Sequence, residues 1–115
     1  GPLHAKIGRI LVDSWNSMDE TQRDHDETTL LLGVDQLNRG STSITDPEEL
    51  FELVELNMTS AGIASGTKTA VNVGAKYYRA ALSVYGSEKL WKEHYSVALE
   101  LHNGLAQCYR IMGDG

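Results

Sequence analysis

Apolar residues recur at intervals of three and four through most of the chain, the period of a helix that buries one face. Ile7, Ile10, Leu11 and Trp15 predict a first helix over Leu3–Met18, with Lys6, Arg9 and Asp13 on its surface. Leu30, Leu31, Val34 and Leu37 predict a second over Glu27–Arg39, stopped by Gly40. The segment between them, SMDETQRDHD over residues 17–26, is polar and acidic and reads as a connection with room for one loose turn. Asp46-Pro47-Glu48-Glu49 is a strong helix start, with Ile44 placed ahead of it as a staple. Asp46 accepts from the first free amides, Pro47 loses a donor that would be orphaned there, and the glutamates sit at the positive end of the dipole. Leu50, Val54, Met58 and Ala61 carry that helix to Gly66, and Phe51, Leu53 and Leu56 widen its apolar face. Thr67 is placed to cap the next helix, whose broad face holds Ala70, Gly74, Tyr77, Tyr78, Ala81 and Tyr85 before Gly86 ends it. The last helix reads as one run over Lys89–Met112. Trp91, Tyr95, Ala98, His102, Leu105, Tyr109 and Met112 follow at spacings of 4, 3, 4, 3, 4 and 3. Leu90, Val97, Leu101 and Cys108 flank that line, and Gly113 stands just beyond it.

These five helices predict an all-α fold organised on the αα-hairpin of residues 46–86. A glycine inside a helix costs roughly 1 kcal/mol against alanine, so Gly62 and Gly74 predict a close approach between the two helices of that hairpin. Gly62, Gly74, Tyr78 and Ala81 are spaced like the small, small, aromatic, small skeleton of a tetratricopeptide repeat. Ser65 and Gly86 stand where such a repeat usually has an aromatic residue and a proline. Ala106, Tyr109 and Met112-Gly113-Asp114 resemble the close of the first helix of such a repeat, and no second helix follows. The expected architecture is a five-helix antiparallel array of tetratricopeptide-like αα-hairpins, a short α-solenoid whose last helix lacks its partner. On that expectation part of the Tyr95–Met112 stripe stays uncovered or pairs with another copy of the chain.

Composition adds a compartment and excludes some partners. The length suits one domain over residues 3–115, with Gly1-Pro2 reading as the scar of a cleaved tag on a piece of something longer. Net charge is −6 and unevenly spread: residues 1–55 hold 12 acidic and 4 basic side chains, residues 56–115 hold 4 and 6. An acidic chain without a basic stripe argues against nucleic acid and anionic membrane as partners. The acidic half reads either as solvated helix faces or as a docking face for a basic partner. One cysteine, Cys108, excludes an internal disulfide and sits in an apolar helix as a buried thiol. With no signal peptide and no long apolar run, a cytoplasmic location is expected.

No catalytic constellation is visible, and no cofactor is implied. His94 and His102, with Glu93 and Glu100, lie too far apart on one helix to share a metal directly. Asp24-His25-Asp26-Glu27 is a local cluster that reads first as solvated polar surface. Cys108 has no histidine at a nucleophile's spacing, and no GxxxxGK[ST] or GxGxxG loop occurs. A small metal-assisted enzyme using His25 or His94 is the enzymatic alternative. Asn38-Arg39-Gly40 reads as a helix ending with a dipole-compensating arginine, or as an interhelix clamp through Asn38. The candidate partner-facing residues are Tyr77, Tyr78, Trp91, Tyr95, His102, Tyr109 and Met112.

Scattered positions along nearly the whole chain carry a resemblance. They are His4 with Ile7-Gly8-Arg9, Asp35–Gly40, Ile44 with Glu48-Glu49, Leu53 with Leu56-Asn57-Met58, Ala75 with Tyr78, Trp91 with Tyr95, Leu99 with His102, and Tyr109 with Gly113-Asp114. In that order they resemble the helical segment that follows the AAA/STAND-type ATPase domain of large multidomain predicted-ATPase sensor kinases, serine/threonine or histidine, and cyclases. Residues 19–32 depart most from that pattern. The resemblance implies a non-catalytic tetratricopeptide-like scaffold or regulatory segment that contacts neighbouring domains or a partner protein. It transfers packing positions only: Asn38, Gly40, Asn57, Gly62, Tyr78, Trp91 and Tyr95. A free-standing adaptor, with a groove beside Tyr77, Tyr78 and the last helix, is the alternative.

Overall fold

The computed structural model describes residues 1–64 and 70–114, and every regular element among them is helical. Seven α-helices occur, where the sequence pattern predicts five: α1 (Pro2–Asn16), α2 (Glu20–His25), α3 (Glu27–Arg39), α4 (Pro47–Ala64), α5 (Val71–Tyr85), α6 (Ser87–Glu93) and α7 (Tyr95–Asp114). A 3₁₀ turn, Ser41–Ser43, joins α3 to the loop before α4. The chain divides into two compact units, Gly1–Leu53 and Val54–Gly115, with the division inside α4.

In the first unit α1 packs on α3. The partners run in reverse order along the two helices: His4 Nδ1 meets Gln36 Oε1 at 2.7 Å, and Gly33 faces Leu11 and Val12. The pair is therefore antiparallel. Glycine makes the approach close, because a Cβ on Gly8 would fall 2.7 Å from the backbone nitrogen of Leu37 and 2.8 Å from the carbonyl oxygen of Gly33. Gly40 closes the same side against the backbone of Gly1 and Ala5. Val12, Leu30, Val34, Leu37 and Leu53 are buried, whereas Ile7 is 40% and Ile10 68% exposed. The buried line of α1 is thus Gly8 and Val12, not the predicted Ile7 and Ile10. The small Gly8 sets the contact face, which turns the larger aliphatics outward.

The segment read as a connection contains a helix. Asp19 accepts from the amide of Gln22 at 2.9 Å while Gln22 Oε1 accepts from the amide of Asp19 at 3.1 Å, a capping box that starts α2. Arg23 then closes the end of α1. Its guanidinium donates to the carbonyls of Trp15 and Asn16 and lies 4.5 Å from the Trp15 ring centre. Asp46 caps α4 as predicted, accepting from the Glu48 amide at 3.1 Å. Arg9 reaches across to that helix, with Nη1 2.7 Å and Nη2 3.2 Å from the two Glu52 oxygens.

In the second unit α5 and α7 share a core of Val71, Ala75, Leu105 and Cys108, with Tyr78, Leu82, Ile111 and Met112 packed against it. Tyr78, later in α5, meets Gly104, earlier in α7, while Val71 shares a cleft with Ile111, so α7 runs back along α5. Gly86 ends α5 at φ 95°, a left-handed backbone that suits glycine. The predicted long last helix is two helices broken at His94, whose φ is −141° and ψ 63°. Neither glycine nor proline marks the break. It is held by tertiary contacts: Tyr85 donates to Glu93 Oε1 at 2.9 Å, and its ring meets His94 edge-on at 5.6 Å. The His94 carbonyl then accepts the Ala98 amide and serves as the start of α7.

The close approach predicted for the central hairpin is not found at Gly62, which is exposed with nothing within 4 Å of its would-be Cβ. The turn of that hairpin, including Ser65, Gly66 and Thr67, lies outside the described residues. Gly113 falls inside α7 rather than beyond it. No described helix is long and apolar enough to cross a membrane.

Candidate functional site

The residues singled out as partner-facing separate into three groups. Tyr77 is buried in α5, 6% exposed, and offers no surface. Tyr78 and Met112 are half-buried and belong to the α5–α7 core. Trp91, Tyr95, His102 and Tyr109 remain, and three of these meet where α6 joins α7. The Trp91 and His102 rings stack at 5.0 Å and 16°, and Tyr95 tilts against Trp91 at 5.3 Å. His102 Nε2 lies 3.3 Å from Ser87 Oγ. This contact ties the middle of α7 to the first residue of α6.

The stripe read as one line is two lines on different faces of α7. Ala98, Leu101, Leu105 and Cys108 are buried. Tyr95 (63% exposed), Leu99 (42%) and Tyr109 (47%) point outward, with the exposed Ala106 between them. Tyr95, Leu99, His102, Ala106 and Tyr109 keep the 4, 3, 4, 3 spacing of a second apolar stripe. The partner-facing set read from the sequence leaves out Leu99, although its place four residues after Tyr95 is the available signal. It also missed Arg79 and Arg110. Arg79 Nη1 donates to the Tyr109 hydroxyl at 3.2 Å. Arg110 lines an open depression of about 420 Å³ with Asn103, Ala106 and Gln107.

Next to that depression, sharing Gln107, a smaller cleft of about 180 Å³ is lined by Val71, Tyr78, Gly104, Gln107, Cys108 and Ile111. Burial pushes the Cys108 thiol above its ordinary value, which favours the neutral thiol. Burial raises the Tyr78 phenol, and Cys108, once ionised, and the Glu100 carboxylate add to it. Burial and the hydrogen bond to Glu93 raise Tyr85. Neither metal candidate assembles: among the described residues no three His, Cys, Asp or Glu side chains converge.

No family model, curated protein or solved structure matches the chain. Function is therefore argued from the surface itself.

Proposed function

We propose that this chain is a non-catalytic helical scaffold whose working surface is the outer face of α7, making protein contacts within a larger ATPase-containing signalling protein. One observation supports the surface: α7 is apolar on two faces, and Tyr95, Leu99 and Tyr109 lie on the uncovered one. The setting beside an ATPase, and the tetratricopeptide-like repeat, rest on the resemblance alone. In a free-standing adaptor, the second reading, the same face serves, because a cleft of about 180 Å³ at Tyr78 is too small for a helix some 10 Å across.

Two measurements test the proposal. Calorimetric titration of the chain with Mg-ATP is expected to show no binding, and tight binding overturns the non-catalytic reading. The reading frame upstream of His4 in the parent transcript decides the setting. A GxxxxGK[ST] loop there supports the ATPase-linked segment, and a start codon close to His4 removes it in favour of the adaptor.

A further inference from the structure

Resting on that reading of the α7 face, we infer its occupant: an amphipathic partner helix lying antiparallel to α7, with acidic residues in its first turn. Size comes first. At 63, 42 and 47% exposure, Tyr95, Leu99 and Tyr109 present roughly 300 Å² of mostly apolar surface, about the size of the largest apolar patch on an ordinary monomer, which is often functional. A standard interface between two folded proteins buries roughly 800 Å² per partner, more than this face offers by itself, so the contact it can make is a small one. One face of a helix fits it. The stripe keeps helical spacing over four turns, and the depression beside it offers a seat for an i, i+3, i+4 set of side chains.

Charge sets the direction. The flank of the stripe runs Ser96, the exposed Glu100, Asn103 and Gln107 to the exposed Arg110 near its far end, where Arg79 rests on the Tyr109 hydroxyl. Among the described residues, no acidic side chain lines the depression there. A partner with carboxylates at that end is matched, and one with lysines is repelled. Carboxylates belong in a helix's first turn, at the positive end of its dipole. Setting that turn beside Arg79 and Arg110 makes the partner run opposite to α7.

The test is fluorescence anisotropy with two synthetic amphipathic helices of about four turns, identical but for glutamates or lysines in the first turn. The glutamate peptide is expected to bind the full chain at least about tenfold more tightly. Arg79→Glu with Arg110→Glu is expected to reverse the preference. Equal binding of the two peptides, or no binding of the glutamate peptide, overturns the inference. Sedimentation equilibrium runs alongside. Self-association abolished by Tyr109→Lys also overturns the inference but leaves the α7 face as the working surface. If Tyr95→Lys with Tyr109→Lys, folded by circular dichroism, alters neither peptide binding nor self-association, the proposed surface falls as well.

Discussion

The Tyr78 ring lies directly over Gly104: a Cβ built on that glycine falls 2.6 Å from Cζ and 2.7 Å from the hydroxyl oxygen. The absence of a side chain at Gly104 is what lets α5 and α7 close around Cys108. Gly104→Ala adds helix propensity but forces the ring outward, and overpacking of this kind costs about 1–3 kcal/mol. The expected net is destabilisation, read by urea denaturation. Gly62→Ala is the control. That glycine is exposed with open space around it, so the same substitution is expected to stabilise by about 0.5–1 kcal/mol. Equal effects at the two sites would show that helix propensity, not the ring, decides the sign.

Arg9 and Glu52 make a bidentate pair in the first unit, and the hydrogen bond to Glu52 does most to raise the arginine. Both side chains are about a third or more exposed, 33% and 39%, so solvent weakens the pair. Glu52→Gln is expected to cost about 0.5–1 kcal/mol. The exposed i, i+4 partner Asp13 contributes less, about 0.3 kcal/mol when changed to Asn. High salt should shrink the Glu52 effect, as paired melts at low and about 1 M salt will show. A loss that salt leaves untouched would mean packing, not charge, holds the contact.

Alkaline stability follows from Tyr85. Its phenol is raised above the ordinary value of about 10 by burial first and by Glu93 second. The unfolded chain therefore loses this proton before the folded chain does. Stability from this group is fully present below pH 10 and falls as pH climbs toward the folded value. Tyr85→Phe is expected to cost about 1 kcal/mol at neutral pH through the lost hydrogen bond. The variant should also lose less stability between neutral pH and pH 11. Some alkaline slope remains, because Tyr78 and Cys108 are raised by burial too. Parallel wild-type and variant curves would remove Tyr85 as a cause.

Helical periodicity placed α1, α3, α4 and α5 within a few residues, because caps such as Asp46 and stops such as Gly40 and Gly86 act locally. Most of what sequence did not reveal depends on contacts made outside the element itself. The break at His94 has no glycine or proline to announce it; the Tyr85 contacts to Glu93 and His94 accompany it instead. Helix α2 carries its own signal in Asp19 and Gln22, but no apolar stripe drew attention to it. The buried face of α1 was misjudged because periodicity counts large aliphatics, while the contact is made by Gly8. The α7 stripe was seen as a stripe. Which of its residues turn outward depends on where α5 lies, and spacing alone does not say that.

The two faces of α7 give the sharpest contrast for substitution. Leu101 is fully buried and Leu105 nearly so, 0% and 9% exposed. Truncating either to alanine is expected to cost about 2–5 kcal/mol. Tyr95→Lys and Tyr109→Lys replace side chains that already stand in solvent, so each should stay within about 0.5 kcal/mol of the parent. Tyr109→Lys carries an added local cost, since Arg79 loses its hydroxyl acceptor and gains a like charge. Chemical denaturation of the four variants checks this. Were Tyr95→Lys as damaging as Leu101→Ala, the outer stripe would be part of the core in solution, and no free face would remain for a partner helix.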